Sequence, residues 1–274
     1  MTAVAGDAAR RTDTRIRPRA KAAARGLRAT ALTLLTLAIG VGVWELVAWW
    51  YGPALAASPA ETVRAGIELA KDGTLGAAVL ASTGRILLGW GLGVVVGAPV
   101  GILMGRVTAI RRLLDPYIEF FRFIPPIAFV TLAIVWFGIG ETSKIVLIFY
   151  TSVFIVTINT IAGVLAIDES KLRAAASLGA NRRQVLHAIV LPATVPHIVT
   201  GARLAMGNSF LTIVSAEIVA ADTGIGALIW QSRNYGRVDW IFLGIIVLGL
   251  LGFTCDRLIR IVAARLLRRY GVKV

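Results

Sequence analysis

The sequence predicts an all-α, polytopic membrane protein with six transmembrane helices. Of its 274 residues, 57% are hydrophobic, whereas a soluble domain is usually about 45–50% apolar. The apolar residues are gathered in blocks, and a helix needs about 20 residues to cross a hydrocarbon layer about 30 Å thick. Basic residues stand at the ends of these blocks. The six predicted spans are residues 31–50, 79–104, 117–138, 145–166, 198–219 and 240–262.

The net charge of +14 is distributed as expected for a membrane protein. If the N-terminus lies inside, 19 basic residues fall in inner segments and five in outer segments. The positive-inside rule favours this orientation and therefore predicts two cytoplasmic termini. A nucleic-acid-binding domain would instead gather its charge on one folded face, so we expect the lipid bilayer, and no nucleic acid, as a partner.

The first block is predicted to be a retained span rather than a cleaved signal peptide. Ala54-Leu55-Ala56 resembles a cleavage site, but signal peptides have apolar cores of about 7–15 residues. This block is longer and ends in Trp49 and Trp50, which are typical of a membrane interface. We predict a disordered basic cytoplasmic tail over 1–28, a transmembrane domain over 29–266 and a second cytoplasmic tail over 267–274.

Two features are expected in the next part of the chain. A short interfacial helix outside the membrane is predicted over residues 61–69, where apolar and charged residues are mixed. In the second span, glycines recur every four residues and form a groove that lets a neighbouring backbone approach closely. These glycines are Gly89, Gly93, Gly97, Gly101 and Gly105.

The third span contains a predicted break. Pro125 and Pro126 are adjacent, and proline removes a backbone donor and clashes with the preceding turn. Arg122 precedes this break and either snorkels to the inner interface, which we favour, or faces a cavity. Broken helices at membrane depth occur only where protein or a water-filled path covers them.

The fifth span carries a polar stripe. Asn208, Thr212 and Ser215 lie within an arc of roughly 60° on a helix. Such a stripe either forms hydrogen bonds between helices or lines a pathway, and both interpretations remain open. Glu217 lies on the opposite face, and an ionisable residue inside a membrane is a candidate functional residue. The sequence does not indicate its partner.

The motifs of metal sites and of common enzymes are missing. The chain has one cysteine, Cys255, and two histidines, His187 and His197, without further ligands at suitable spacing. It has no Gly-Lys dipeptide and therefore no Walker A motif, and it has neither HExxH nor GxSxG. We therefore expect no metal, no cofactor and no catalysis. A secondary transporter is the alternative from another class, but we find neither an inverted repeat nor clustered carboxylates.

Residues 167–192, between the fourth and fifth spans, predict two short helices joined by a turn. Asp168 suits the N-cap of the first helix, and Gly179 suits the left-handed residue that ends it. Asn181 and Gln184 have the spacing of a capping box. The segment is held between two spans, so a DNA-reading helix-turn-helix is excluded, and small exposed residues beside a sharp turn favour docking to a cytosolic partner.

This segment resembles the EAA loop of ABC importer permeases. The resemblance lies in Ala174-Ala175, Gly179, Ile189 and Leu191-Pro192 at the spacing of that loop, with Arg173 in place of the usual glutamate. Taurine-type permeases are similar in this departure. Three further runs are similar to the nitrate, sulfonate and taurine branch of the family: 121–126, 134–144 and 216–226.

The resemblance implies a type I ABC importer permease fold in a bacterial inner membrane. It implies a homodimer with a second permease copy, two cytoplasmic ATP-binding subunits that hydrolyse ATP, and an external solute-binding protein. It also implies a path for a small organic anion such as the sulfonate taurine, with nitrate or another small solute as the alternative. The expected ATPase-coupling residues are Arg173, Ala174, Ala175, Gly179, Ile189, Leu191 and Pro192. The pathway candidates are Asn208, Thr212, Ser215 and Glu217.

Overall fold

The computed structural model describes the backbone of residues 17–268 and the side chains of residues 30–265. Over this range the chain is helical, which confirms the predicted all-α class. The helices are α1 (Arg17–Tyr51), α2 (Pro59–Lys71), α3 (Thr74–Arg106), α4 (Thr108–Phe121), α5 (Pro126–Phe137), α6 (Glu141–Leu165), α7 (Glu169–Ser177), α8 (Arg182–Val185), a π-helical turn (Leu186–Val190), α9 (Leu191–Ala220), α10 (Ile225–Asn234) and α11 (Val238–Arg268).

The long helices match the predicted membrane spans. Within the described range, five helical segments are long and apolar enough to cross a membrane, and a sixth span results if α4 and α5 are counted as one. These two helices are bent by 99° relative to each other at the break before Pro126. The predicted break at Pro125-Pro126 is therefore confirmed.

The first structural unit, residues 1–61, contains α1. This helix begins at Arg17, so the predicted disordered tail over 1–28 is corrected for residues 17–28. Alanine and arginine dominate that stretch, and both have high helix propensity. Residues 1–16 lie outside the described range. At the other end of α1, the Trp44 indole donates a hydrogen bond to the Ala57 carbonyl at 2.8 Å.

The second unit, residues 62–274, is built around α3, α6 and α9. The glycine groove of α3 admits a close neighbouring backbone, as predicted, and the structure shows that this neighbour is α6. A β-carbon added at Gly93 would lie 2.4 Å from the Ser152 β-carbon, and one at Gly101 would lie 2.5 Å from the Thr160 β-carbon. Real side chains cannot approach so closely, so only glycine permits this spacing of the two backbones. The α3–α6 pair therefore forms the closely packed centre of this unit.

Apolar clusters connect several helices of the second unit. Ile86, Ile148 and Ile213 join α3, α6 and α9. Val130 of α5 packs with Leu147 of α6. The predicted helix over 61–69 is present within α2, and its buried face packs against α10 and α11 through Ala65, Leu69, Leu228 and Leu243.

Candidate functional site

The predicted segment between the fourth and fifth spans contains two short helices, α7 and α8, joined by a turn at Gly179. The Asp168 carboxylate accepts a hydrogen bond from the Ser170 backbone N–H at 2.8 Å, and this bond holds the pKa of Asp168 below its usual value. Gly179 has a φ of +75°, a conformation that a residue with a β-carbon rarely adopts. The Asn181–Gln184 capping box is also formed. The turn between α7 and α8 is therefore specified by local sequence.

The tip of this segment exposes both charged and apolar side chains. Arg173 and Ala174 are exposed, and Ala175 is half-buried. Leu178, which the sequence analysis did not single out, is 87% exposed at the end of α7. Its position directly before the Gly179 turn is the signal that could have identified it.

The end of the segment enters α9 through a π-helical turn. The Leu191 N–H donates to the Leu186 carbonyl, five residues back. Pro192 has no N–H to donate to a residue four positions earlier, and π turns are often found at functional positions. Ile189 and Pro192 line a cavity of about 460 Å³ between this turn and the end of α6.

The polar stripe of α9 is divided between two environments. Thr212 is buried, and its hydroxyl donates to the Asn208 carbonyl at 3.0 Å and to the Thr151 hydroxyl of α6 at 3.4 Å. Asn208 is exposed and its side chain lines a cavity. Ser215 is half-buried, and its hydroxyl lies 3.5 Å from the Leu211 carbonyl. Thr212 therefore contacts a neighbouring helix, Asn208 lines a cavity, and the pathway role of the stripe stays a prediction.

The cavity that contains Asn208 has a volume of about 310 Å³ and lies where α4 bends into α5. Arg122, Pro125 and Pro126 line it from the bend, and Thr151 lines it from α6. The Tyr150 hydroxyl donates to the Phe121 carbonyl at 2.5 Å. This bond satisfies a carbonyl at the end of α4, so the break is anchored to α6. Arg122 is exposed and lines this cavity, and its position relative to the inner membrane interface stays a prediction.

Glu217 does not line this cavity but lies in a buried ionic cluster. Its side chain is 0% exposed. The carboxylate accepts hydrogen bonds from the Ser82 hydroxyl at 2.8 Å, from Arg85 Nη1 at 2.7 Å and from the Gly226 N–H at 2.8 Å. These contacts connect α3, α9 and α10, and they are the contacts of a structural anchor.

Arg85 extends the cluster to the beginning of α6. Its Nη2 donates to Glu141 at 2.7 Å, and its Nη1 donates to the Thr223 carbonyl at 2.6 Å. Lys144 is buried and lies 3.3 Å from the same Glu141 carboxylate, which is itself 60% exposed. A buried guanidinium is thus paired with two carboxylates, as an ionisable group inside a membrane protein requires.

A glycine loop closes over the cluster. Gly224 has a φ of +135°, and a β-carbon added there would lie 2.3 Å from the carboxyl carbon of Glu217. The run Asp222-Thr-Gly-Ile-Gly226 therefore needs glycine so that its backbone can pass directly over the buried carboxylate. Arg85 was not among the site residues predicted from the sequence. A single arginine within the glycine-rich second span was the signal that could have paired it with Glu217.

Breaking this cluster should strongly destabilise the protein. We expect Arg85→Met to lower the free energy of unfolding by about 3–5 kcal/mol, because it leaves a buried carboxylate without its cation. Thermal unfolding of the detergent-purified protein measures this effect. Arg85→Met combined with Glu217→Gln should recover part of the loss, and Arg112→Met on the exposed surface of α4 should change little. An Arg85→Met melting temperature equal to that of Arg112→Met would contradict the role assigned to the cluster.

No group of three His, Cys, Asp or Glu residues that could hold a metal ion occurs in the part of the chain whose side chains are described. The absence of a metal and of a cofactor stays a prediction. Cys255 is a free, half-buried thiol in α11.

Comparison with known proteins places this architecture in a family. The model of the family described as "Binding-protein-dependent transport system inner membrane component" matches residues 93–269. The match includes the segment around Gly179 and most of the glycine groove. The chain therefore belongs to this family, as its resemblance to ABC importer permeases predicted.

Relatives of known description agree with this assignment. The chain is 37% identical to the taurine transport system permease protein TauC of Escherichia coli over 251 residues, which cover 89% of this chain and 91% of TauC. It is also 37% identical to the bicarbonate transport system permease protein CmpB of Synechococcus elongatus over 181 residues, covering 66% and 65% of the two chains. It is thus a permease of the branch that contains taurine, sulfonate and bicarbonate systems.

The fold has a counterpart among solved structures. A chain of the MetNI methionine ABC transporter superposes with a TM-score of 0.62 at 21% identity, covering 72% of this chain and 96% of that chain. This similarity confirms the type I importer permease fold. The chain is a multi-pass inner membrane protein, and ATP hydrolysis belongs to a separate subunit of the transporter.

Proposed function

We propose that this chain forms the path by which an ATP-driven importer moves a small organic sulfonate such as taurine. The observation that carries this proposal is the similarity to TauC, which extends over nearly the whole chain. The similarity to CmpB covers a smaller part of both chains. Bicarbonate and nitrate are the alternative solutes, since each is also a small anion.

The chemistry of the described residues supports an anionic solute. A sulfonate stays ionised at physiological pH, so its path should offer hydrogen-bond donors and cations rather than carboxylates. Asn208 offers amide donors at the α4–α5 bend, and Arg122 lines the same cavity. Thr212 and Ser215 continue the polar stripe of α9. Glu217, by contrast, is enclosed in its ionic cluster and contributes by holding the helices in place.

Growth on defined sulfur sources tests the solute. We expect deletion of the gene to prevent growth with taurine or an alkanesulfonate as the sole sulfur source and to leave growth on sulfate unchanged. Return of the gene on a plasmid should restore growth. Normal uptake of labelled sulfonates by the deletion strain, with loss of bicarbonate or nitrate uptake instead, would reject the sulfonate and retain the transporter class.

We also propose that the segment 167–192 couples transport to ATP hydrolysis. Permeases of this family assemble with ATPase subunits and a binding protein. The exposed Leu178 and Ala174 offer an apolar and a small contact for a groove on an ATPase subunit. The proposed coupling residues are Arg173, Ala174, Ala175, Gly179, Ile189, Leu191 and Pro192.

The proposed assembly follows from this assignment. The segment lies in the cytoplasm, so both termini are cytoplasmic, in agreement with the distribution of basic residues. Two copies of the chain form the path, each with its own ATPase subunit, and the solute-binding protein docks on the outer face. In this proposal the transmembrane domain covers 29–266 and contains the coupling segment 167–192, and the cytoplasmic tails are 1–28 and 267–274.

A further inference from the structure

The cavity at the α4–α5 bend has the size and composition of a small-molecule site. Its volume of about 310 Å³ falls at the lower end of the range of about 300–1,000 Å³ found for ligand pockets. Most of its wall is apolar, and Thr151, Tyr150 and Asn208 contribute polar atoms. Such sites hold a ligand in an apolar enclosure and orient it with few polar groups.

Arg122 is the one charged residue that lines this cavity within the described part of the chain. Its guanidinium lies over the Phe123 ring, 4.6 Å from the ring centroid. No carboxylate among residues 30–265 forms an ion pair with it. By contrast, Arg85, Arg203 and Arg237 each pair with a carboxylate. The guanidinium is therefore available to an anion.

The neighbouring cavity explains why the anion would be held at this position. It has a volume of about 190 Å³ and shares Arg122 and Ile158 with the first cavity, so Arg122 stands between the two. Asp115 and Glu119 line this second cavity, and Arg111 pairs with Asp115 at 3.3 Å. The carboxylates of the second cavity balance the charge of its arginines, so beyond Arg122 an anion meets no excess of positive charge.

We propose that the cavity at the α4–α5 bend binds the solute anion inside the permease and that Arg122 is the residue that selects a negative charge. The proposal rests on the proposed function only in requiring an anionic solute. Arg122 contributes charge-assisted hydrogen bonds, and Asn208 contributes amide donors. The bend at Pro125-Pro126 creates the space, and the hydrogen bond from Tyr150 to the end of α4 keeps it open.

Protection of a cysteine within the cavity tests this proposal. Ile155 lines the cavity through an apolar side chain, so Ile155→Cys in a Cys255→Ser chain places one thiol there and keeps the polar groups. The complex with its ATPase subunits is reacted with an uncharged thiol reagent. We expect methanesulfonate to slow the labelling and the uncharged dimethyl sulfone to have no effect.

Variants of Arg122 test whether its guanidinium binds the anion. Arg122→Gln should raise the methanesulfonate concentration needed for half-protection about ten- to hundredfold, the range that corresponds to a hydrogen bond with a charged group. Arg122→Lys should fall between Arg122→Gln and the wild type. Arg112 is exposed in α4 and lines neither cavity, so methanesulfonate should protect the Arg112→Gln variant as well as it protects the wild type. Equal labelling rates without anion show that the cavity is intact in each variant.

The possible results test the binding site and the identity of the solute independently. Protection by nitrate or bicarbonate through Arg122, with normal sulfonate growth in the deletion strain, would retain the site and reject the sulfonate. Equal protection of Arg122→Gln and the wild type would reject the site even if sulfonate growth is lost on deletion. Failure of methanesulfonate, nitrate and bicarbonate to protect would also reject it, and this result is expected if Arg122 binds a lipid phosphate instead.

Discussion

Gly93→Val is expected to prevent the protein from folding to a stable state in the membrane. The added β-carbon would lie 2.4 Å from the Ser152 β-carbon and 3.0 Å from the Val153 nitrogen, so α3 and α6 would have to separate. Overpacking in a protein core typically costs about 1–3 kcal/mol, and here the obstacle includes backbone. The yield of monodisperse protein after extraction, together with its melting temperature, measures the effect.

Gly91 in the same helix provides the matched control. A β-carbon at Gly91 would meet nothing within 4 Å. Gly91→Val carries the same change in composition and helix propensity but no collision, so its yield and melting temperature should stay near those of the wild type. Equal behaviour of Gly91→Val and Gly93→Val would contradict the account of the groove as a close contact between two backbones.

Gly179→Val is expected to abolish transport while the protein remains folded in the membrane. The positive φ of Gly179 sets the angle between α7 and α8, and a β-branched residue disfavours that conformation. No atom lies within 4 Å of a β-carbon at this position, so the expected damage is a misdirected docking segment. Uptake and retention of the ATPase subunits during purification measure the two consequences.

Gly73→Val separates this effect from backbone strain in general. Gly73 has a φ of +82° in the turn before α3, and it also has open space around it. The two substitutions introduce comparable backbone strain, but the turn at Gly73 lies outside the coupling segment 167–192. Gly73→Val should therefore keep its ATPase subunits. Loss of those subunits in both variants would remove the specific role of Gly179.

Features encoded over a few residues could be predicted from the sequence. The glycine groove follows from one spacing within one helix, so Gly93 and Gly101 were identified before their partners in α6 were known. The turn after α7 depends on Gly179 and on the capping pair of Asn181 and Gln184, all within one short segment. The break before α5 follows from the backbone chemistry of proline.

Features that depend on distant parts of the chain could not be predicted in the same way. Arg85 and Glu217 are 132 residues apart, and the spacing of residues carries no information on such a pair. The burial of Lys144 beside Glu141 depends in the same way on how the helices pack around Arg85. The cavity at Arg122 likewise depends on the 99° bend, because the sequence indicates a break without giving its angle.

Uptake of labelled taurine into proteoliposomes tests the central claim most directly. The complete complex, with its solute-binding protein and with ATP on the side of the ATPase subunits, should accumulate taurine only while ATP is hydrolysed. The chain alone should neither hydrolyse ATP nor transport taurine. Taurine accumulation by the chain alone, driven by an ion gradient without ATP, would contradict its assignment as the permease subunit of an ATP-driven importer.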